Sequence, residues 1–382
     1  MKKFAAVILK YFKRLDKALL IAIILCSCVG IVLLYSLYRN GTILPSVYKT
    51  QFLLMLGGIA VCFVLSAIDY AKLAKLWFLY VPVALGCVML TFTSLGKGVD
   101  GADDVAWIDL GFMSFQPSEL LKLAFIMSFS YHLYKVGDDM NKPLNMLLLC
   151  LHGAIPMLLI VKQGDHGTAL VFGVMFIAMI FCAGISVKYI IAAAVLSVPA
   201  GYVCWNYVFG RVQKERILVL FNPGSDPAGL EYQPDLGKAA LSSGGLFGQG
   251  IFNTEKSMVP EIYNDFIFAY VGQALGFVGC VGLIILLAFI CLKLIANSRM
   301  AREPLGKNIC VGVFALIFTH CFMNIGMVMK VMPVIGIPLP FVSAGGTALL
   351  SMFTSIGLAM SVYSHRVEKR KKYNKITLRK RS

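Results

Sequence analysis

No CxxC pair and no Cys/His run with metal-ligand spacing occurs in the 382 residues, although cysteine itself is plentiful at eleven. Nearly all of these cysteines lie inside apolar stretches, where a thiol behaves as a small buried hydrophobe. Neither a disulfide framework nor a structural zinc site is indicated. A cleavable signal pattern is also missing: the basic N-terminal residues run straight into a full-length apolar stretch, a signal-anchor arrangement. Polar surface is the third shortage. With 59% hydrophobic residues, 14% charged ones and a mean hydropathy of +0.80, the chain is too apolar for a soluble domain of this length. A bilayer removes the difficulty, because lipid is then the solvent and only the backbone must satisfy itself internally.

A helix needs roughly 20 apolar residues to cross the hydrocarbon core. Ten stretches meet that need, at about 18–37, 50–68, 75–94, 117–134, 144–161, 167–185, 188–207, 264–294, 309–329 and 345–364. They predict an all-α polytopic membrane protein of about ten transmembrane helices. A basic segment 1–17 precedes a single ten-helix domain, 18–364, and a basic tail 365–382 follows it. The longest polar stretch, 208–263, falls between spans 7 and 8.

The net charge of +16 does not point to nucleic acid once its placement is considered. Nine of the 35 Lys and Arg residues lie between Arg366 and Arg381, and six more precede the first span. Basic residues beside membrane segments act first as topology signals that hold those ends in the cytoplasm, and attraction to anionic membrane lipids is a second use. An even number of spans puts both termini on one side. Loops and tails on that side carry more than twice as many basic residues as those opposite. A cytoplasmic N- and C-terminus and an extracytoplasmic loop 208–263 are therefore expected, in a plasma membrane.

Ionisable groups at membrane depth are expensive, so each one suggests a function. FQPSELLK, Phe115 to Lys122, opens the fourth span with Pro117 in a helix first turn, where its missing N–H costs nothing. Ser118 and Glu119 sit one turn before Lys122, so Lys122 can pair with Glu119 on one face. Two readings stand: a structural ion pair, or a cation placed to meet an anionic headgroup. Asp165 opens the sixth span, where a helix cap would suffice to explain it. Arg211, Lys214 and Arg216 follow the seventh span, interrupted by Glu215. Asp265 stands where a polar loop meets a long apolar helix, either as a cap or as a general base. Burial there would raise its pKa and nearby cations would lower it. The glycines 244, 245, 248 and 250, interleaved with Leu246, Phe247, Ile251 and Phe252, predict an ordered loop against the membrane surface. Pro333, Pro338 and Pro340, among the glycines from Gly326 to Gly346, predict a broken, re-entrant stretch lining a cavity.

These motifs together resemble the SEDS family, the FtsW/RodA type. They are Trp107 with FQPSELLK, the DHGT run at Asp165, NPGSDPAGLEY, SSGGLFGQG, NDFIFAYVG, NIGM, and GIPLPFVSAGG from Gly336 to Gly346, in order along nearly the whole chain. The resemblance implies a peptidoglycan glycosyltransferase that polymerises lipid II into a growing glycan strand for cell shape, division or sporulation. It implies that Asp265 is the catalytic aspartate and that Lys122 is functionally important, with Asp165 and Trp107 also on family-typical positions. Ser118 and Glu119 join Lys122 as candidate substrate contacts, and Arg211, Arg216 and Lys238 are candidate helpers for the departing pyrophosphate. No protein metal site is expected; a divalent Mg or Mn ion is compatible with the pyrophosphate itself. The implied partner is a class B penicillin-binding protein. Ala106, Leu236, Gln273, Ala344 and His166 depart from the family pattern, which leaves a lipid II flippase or a weakly active scaffold as alternatives.

Overall fold

The computed structural model describes residues 11, 14–98, 105–109, 111, 114–222, 224–226, 229–252, 258–301 and 303–379, with side chains as far as Arg366. Asp100, Asp103 and Asp104, which precede Trp107 in the sequence, lie outside the described residues.

Every expected span meets a helix. In chain order they are α1 (Lys17–Arg39), α2 (Pro45–Ala67), α3 (Tyr70–Lys75), α4 (Trp77–Leu90), α5 (Pro117–Val136), α6 (Pro143–Lys162), α7 (His166–Ala183), α8 (Val187–Val203), α9 (Arg211–Phe221), α10 (Tyr232–Ser243), α11 (Ile267–Met300), α12 (Pro304–Val328) and α13 (Gly346–Arg379). Eight helices among the described residues are long and apolar enough to cross a membrane. The expected third span is divided at Leu76 into α3 and the short α4, and α5 carries Glu119 and Lys122 in its first two turns. A small antiparallel sheet, β1 (Gly96–Lys97), β2 (Trp107–Asp109) and β3 (Ser114–Phe115), precedes α5 and had no counterpart in the sequence reading. Its register pairs Lys97 with Trp107 and Ile108 with Phe115.

Local chemistry sets the helix ends. Asp16 caps α1 by accepting from Leu19 N at 3.2 Å, and Asp69 caps α3 by accepting from Ala71 N at 2.9 Å. Pro45, Pro117, Pro143 and Pro304 occupy first turns, where no N–H is required. Gly184, at φ 100°, ends α7 in the left-handed conformation that a side chain would resist.

The bundle packs around α12 and α13, whose apolar windows are 67% and 78% buried. Small residues permit close approach, the usual device in lipid, where apolar burial alone does not drive helices together. Gly58 of α2 faces the Phe353 ring, and Gly357 of α13 faces the Cys62 backbone. At one end of the bundle, Asp16 accepts from Lys293 at 2.9 Å and from Asn297 at 3.1 Å, tying the start of α1 to the end of α11. The opposite end carries Asp265.

The polar stretch 208–263 is structured at this second end. It holds α9, α10 and a glycine-rich turn, 244–252, that docks against a kink in α11. At Gly276 the backbone leaves the helical region (φ 67°, ψ −165°), which frees carbonyls before the kink and N–H groups after it. The turn satisfies both sets. Gln249 N donates to Gln273 O at 2.9 Å and Gly250 N to Ala274 O at 3.1 Å, while Phe277 N donates to Gly245 O at 2.9 Å and Val278 N to Leu246 O at 3.1 Å. Irregular backbone beside a membrane helix needs such partners. A Cβ at Gly244 would run into the Gly272 carbonyl, so the approach requires glycine there.

Candidate active site

Asp265 lies in the turn just before α11, outside the helix itself. The non-helical segment between α12 and α13 wraps this turn, and side chains hold the two together. Asn324 of α12 donates to both Asp265 O and Ile337 O, each at 2.8 Å. Ser343 donates to Asn264 O at 2.7 Å and accepts from Leu339 N at 2.8 Å, while Ala344 N donates to Tyr263 O at 2.9 Å. Gln51 of α2 donates to Ser343 O at 2.7 Å. The expected re-entrant stretch is therefore broken and largely buried in protein, with Ile337, Leu339, Phe341 and Val342 in the core.

Around the Asp265 carboxylate, Oδ1 is shielded from solvent with no hydrogen-bond partner among the described residues. Oδ2 faces Gly336, where the backbone has φ 65° and a Cβ would sit 3.5 Å from the oxygen. Burial pushes the carboxyl up to about 7, Glu261 adds to the rise, and Arg216 opposes it. An acid poised near neutrality with an unpaired oxygen is suited to taking a proton. Arg216 is fixed by donating to Val334 O at 3.1 Å, on the same wrapping segment.

A second cluster lies between α5, α7 and α12. Lys122 is fully buried, and its Nζ donates to Glu119 Oε1 at 2.7 Å and to His320 Nε2 at 3.2 Å. His320 Nδ1 donates in turn to Pro338 O at 3.2 Å. Because an ammonium only donates and a carbonyl only accepts, this fixes the imidazole as the Nδ1–H tautomer. Lys122 is thereby linked through His320 to the segment that wraps Asp265. Glu119 Oε2 and Ser118 Oγ are buried without partners among the described residues. Asp165 caps α7 through Thr168 N at 2.8 Å and accepts from Gln116 at 3.1 Å. Burial raises its carboxyl above the ordinary range, against the opposing Thr168 hydrogen bonds and the nearby Lys122 charge.

The other candidates stand apart. Arg211 is exposed and paired with Glu215 at 2.6 Å, a solvated pair of small energetic weight. Lys238 is exposed on α10, and Trp107 is half-buried on β2. Trp107 lies beside Val105, whose N–H donates to Gln163 O at 3.0 Å at the end of α6.

Several residues that shape the site were not singled out in the sequence. Glu231, within NPGSDPAGLEY, is buried and accepts from Gly224 N at 2.9 Å, Asp226 N at 3.1 Å and Lys330 Nζ at 3.3 Å. The Gly224 and Asp226 N–H groups, with Lys330, hold it below the usual carboxylate range. Lys330 also binds Asp235 at 2.6 Å, so this motif anchors α10 to the exit of α12. His320 carried a sequence signal, being an ionisable residue inside a span. Asn324 lay in the NIGM motif without an assigned role. Among the departures, Ala106 is buried, Leu236 and Ala344 pack against the core, and Gln273 is buried with Oε1 unpartnered among the described residues.

Comparison with known proteins places this architecture. A family described as cell cycle proteins, FtsW/RodA/SpoVE, matches residues 16–368. A probable peptidoglycan glycosyltransferase FtsW of Geobacter sulfurreducens is 32% identical over 372 residues, covering 92% of this chain and 96% of the relative. The peptidoglycan glycosyltransferase MrdB of Escherichia coli K12 is 31% identical over 294 residues, 76% of this chain and 78% of that protein. The fold also matches a chain from a structure described as coordination of polymerization and crosslinking by a peptidoglycan synthase complex. There the TM-score is 0.79 at 24% identity, over 92% of this chain and 98% of the other. The rod shape determining protein RodA of Thermus thermophilus superposes with a TM-score of 0.68 at 23% identity, over 92% and 97% of the two chains. On these grounds the chain belongs to the FtsW/RodA/SpoVE family of polytopic membrane proteins, the SEDS family.

Proposed function

We propose that this chain, a peptidoglycan glycosyltransferase by family, builds glycan strands from lipid II with Asp265 as general base. The carrying observation is the Asp265 carboxyl, raised to about 7 and left with an unpaired oxygen beside Gly336. In the proposed reaction the acceptor sugar hydroxyl attacks the anomeric carbon of the donor. The bond from that carbon to the pyrophosphate oxygen breaks, and Asp265 takes the hydroxyl proton. Positive charge stabilises the leaving pyrophosphate. Arg216 lies within electrostatic reach of Asp265, while Lys122 acts from its buried cluster to position the wrapping segment. Mg2+ or Mn2+, if used, would be brought by the pyrophosphate itself, whose charge it would help neutralise.

The Asp265 end is proposed to face outward. Lys72, Lys75, Lys135, Lys142, Lys188, Lys293, Arg299 and Lys307 crowd the connections at the other end, which is the cytoplasmic signature. A class B penicillin-binding protein is the proposed partner, in keeping with the synthase complex that shares the fold.

The test is polymerisation of purified lipid II by the full chain with its partner synthase. Wild type should yield glycan strands and Asp265→Asn should not, with both proteins equally folded. Equal product from the two would remove Asp265 from the chemistry.

A further inference from the structure

His166 departs from the family pattern, and nothing in the reaction proposed above uses it. It is the first residue of α7, half-buried, and neither ring nitrogen has a hydrogen-bond partner among the described residues. Its surroundings are one aromatic edge and two charges. The ring meets Phe209 edge-on with centroids 5.9 Å apart, and Asp165 and Arg216 both act on it electrostatically. The neighbouring Asp165 does not claim the imidazole, because its oxygens accept from Thr168 N and Gln116.

The segment that wraps Asp265 brings this imidazole to the same site. Three consecutive residues of it each hold one part. Arg216 donates to Val334 O at 3.1 Å. A Cβ at Gly167 would sit 2.6 Å from Ile335 O, so α7 starts in backbone contact with the next residue. Gly336 then faces Asp265 Oδ2. Residues two apart are separated by at most about 7 Å even in an extended chain. The guanidinium and the carboxylate are thus anchored at points within that distance, and His166 adjoins the Gly167 contact between them.

That spacing has a chemical meaning. One-step displacement of pyrophosphate by a sugar hydroxyl needs the base on one face of the anomeric carbon and the leaving oxygen on the other. In inverting glycoside hydrolysis the groups serving those two faces stand about 6.5–9.5 Å apart. With Asp265 on the base side, Arg216 and His166 fall on the side of the leaving group. Arg216 has guanidinium donors left over from Val334 O, without a protein partner among the described residues, and such donors suit a phosphate. The unbonded imidazole adds an N–H. Of the charges facing it, Arg216 favours an anion there and Asp165 opposes one.

We propose that His166 contacts the departing pyrophosphate of the lipid-linked donor, its ring N–H donating to the phosphate nearest the sugar. The assignment rests on reading the Asp265 site as the glycosyltransferase centre, and it concerns the leaving group rather than the base. No bond to His166 forms. The pyrophosphate carries away the electron pair of the broken carbon–oxygen bond, and His166 and Arg216 meet the added charge.

The test measures equilibrium binding rather than turnover, so it is independent of whether Asp265 is the base. The purified full chain in lipid–detergent micelles, at one fixed Mg2+ concentration, is titrated with a short-chain polyprenyl pyrophosphate. A parallel titration uses the matching polyprenyl monophosphate, which lacks the phosphate nearest the sugar. Wild type should bind the pyrophosphate more tightly. His166→Leu, which can still pack against Phe209 but has no N–H, should weaken pyrophosphate binding about tenfold and leave monophosphate binding little changed. His166→Gln, whose amide keeps a donor, should recover most of the loss. Equal weakening of both ligands in His166→Leu would mean a packing role at the start of α7 and overturn the proposal. So would no preference for pyrophosphate in wild type, unchanged binding in His166→Leu, or a His166→Gln variant no better than His166→Leu. If Asp265→Asn polymerises like wild type while the binding results hold, the base assignment fails and the His166 contact stands.

Discussion

The helices α12 and α8 are both apolar and both long enough to cross a bilayer, at mean hydropathies of 1.9 and 1.7. Yet the first is 67% buried in protein, while the second, counted with its π-helical extension to Val208, has no buried residue. Hydropathy records only that a helix prefers lipid or protein to water; it does not distinguish the two. What distinguishes them is buried polar residues, since small residues occur on both. The packed helix carries Asn308, Thr319, His320 and Asn324, all buried, and Gly312 against Ile126. The α8 helix has no described interhelical hydrogen bond beyond Tyr189 OH, which donates to Asn141 O at 3.1 Å near its start. In lipid, close packing and hydrogen bonds rather than apolarity select partners, so the site is built where those groups lie.

The largest expected effect falls on the packed side. Asp265→Asn should lower polymerisation about 10^2- to 10^4-fold, the usual contribution of a positioned base, measured as glycan product per folded protein. A Lys122→Met change would leave the Glu119 carboxylate buried and unpaired, at a cost of roughly 3–5 kcal/mol. Unfolding in detergent–lipid mixtures should show this loss, and the double change with Glu119→Met should recover most of it. Leu316→Ala in α12 should cost on the order of 2 kcal/mol in the same measurement. Leu196→Ala, exposed on α8, should change stability by less than about 0.5 kcal/mol. An equal cost at the two leucines would break the contrast between these helices.

A smaller effect is the dependence on pH. With the Asp265 carboxyl near 7, activity should rise as pH increases through about 7 and then level off, because only the ionised form accepts a proton. Arg216→Gln removes the charge that lowers this value, so the midpoint should move upward. The sign for stability is opposite. The folded state keeps a proton that the unfolded chain releases near its ordinary pKa of about 3.9, so this residue's contribution to stability falls as pH rises from about 4 to about 7. A midpoint unchanged in Arg216→Gln would detach Arg216 from the site.

Much of this was legible in the sequence. The apolar lengths located every span, and Pro117 and Asp165 marked helix starts because capping and proline rules are local. The Glu119–Lys122 pair followed from i,i+3 spacing alone. The broken stretch after α12 was readable from its prolines and glycines, since those residues restrict or free the backbone wherever they occur. By contrast, spacing left Lys122 open between a structural ion pair and a contact with an anionic headgroup, and did not show that it is fully buried and bonded to His320 as well as Glu119. Arg211 and Arg216 looked equivalent as neighbours in one basic run. One is spent on Glu215, and the other turns to Val334.

The stretch 208–263 shows where the boundary lies. Composition determined that it is polar, glycine-rich and joined to a long apolar helix, because those properties belong to single residues. Only tertiary structure decided that its glycines seal the α11 kink at Gly276, that Glu231 anchors it through Lys330, and that Asn324 and Ser343 hold the Asp265 turn from distant helices. Hydrogen bonds between residues far apart in the chain leave no periodic trace in the sequence, and they set the burial that lifts Asp265 toward neutrality.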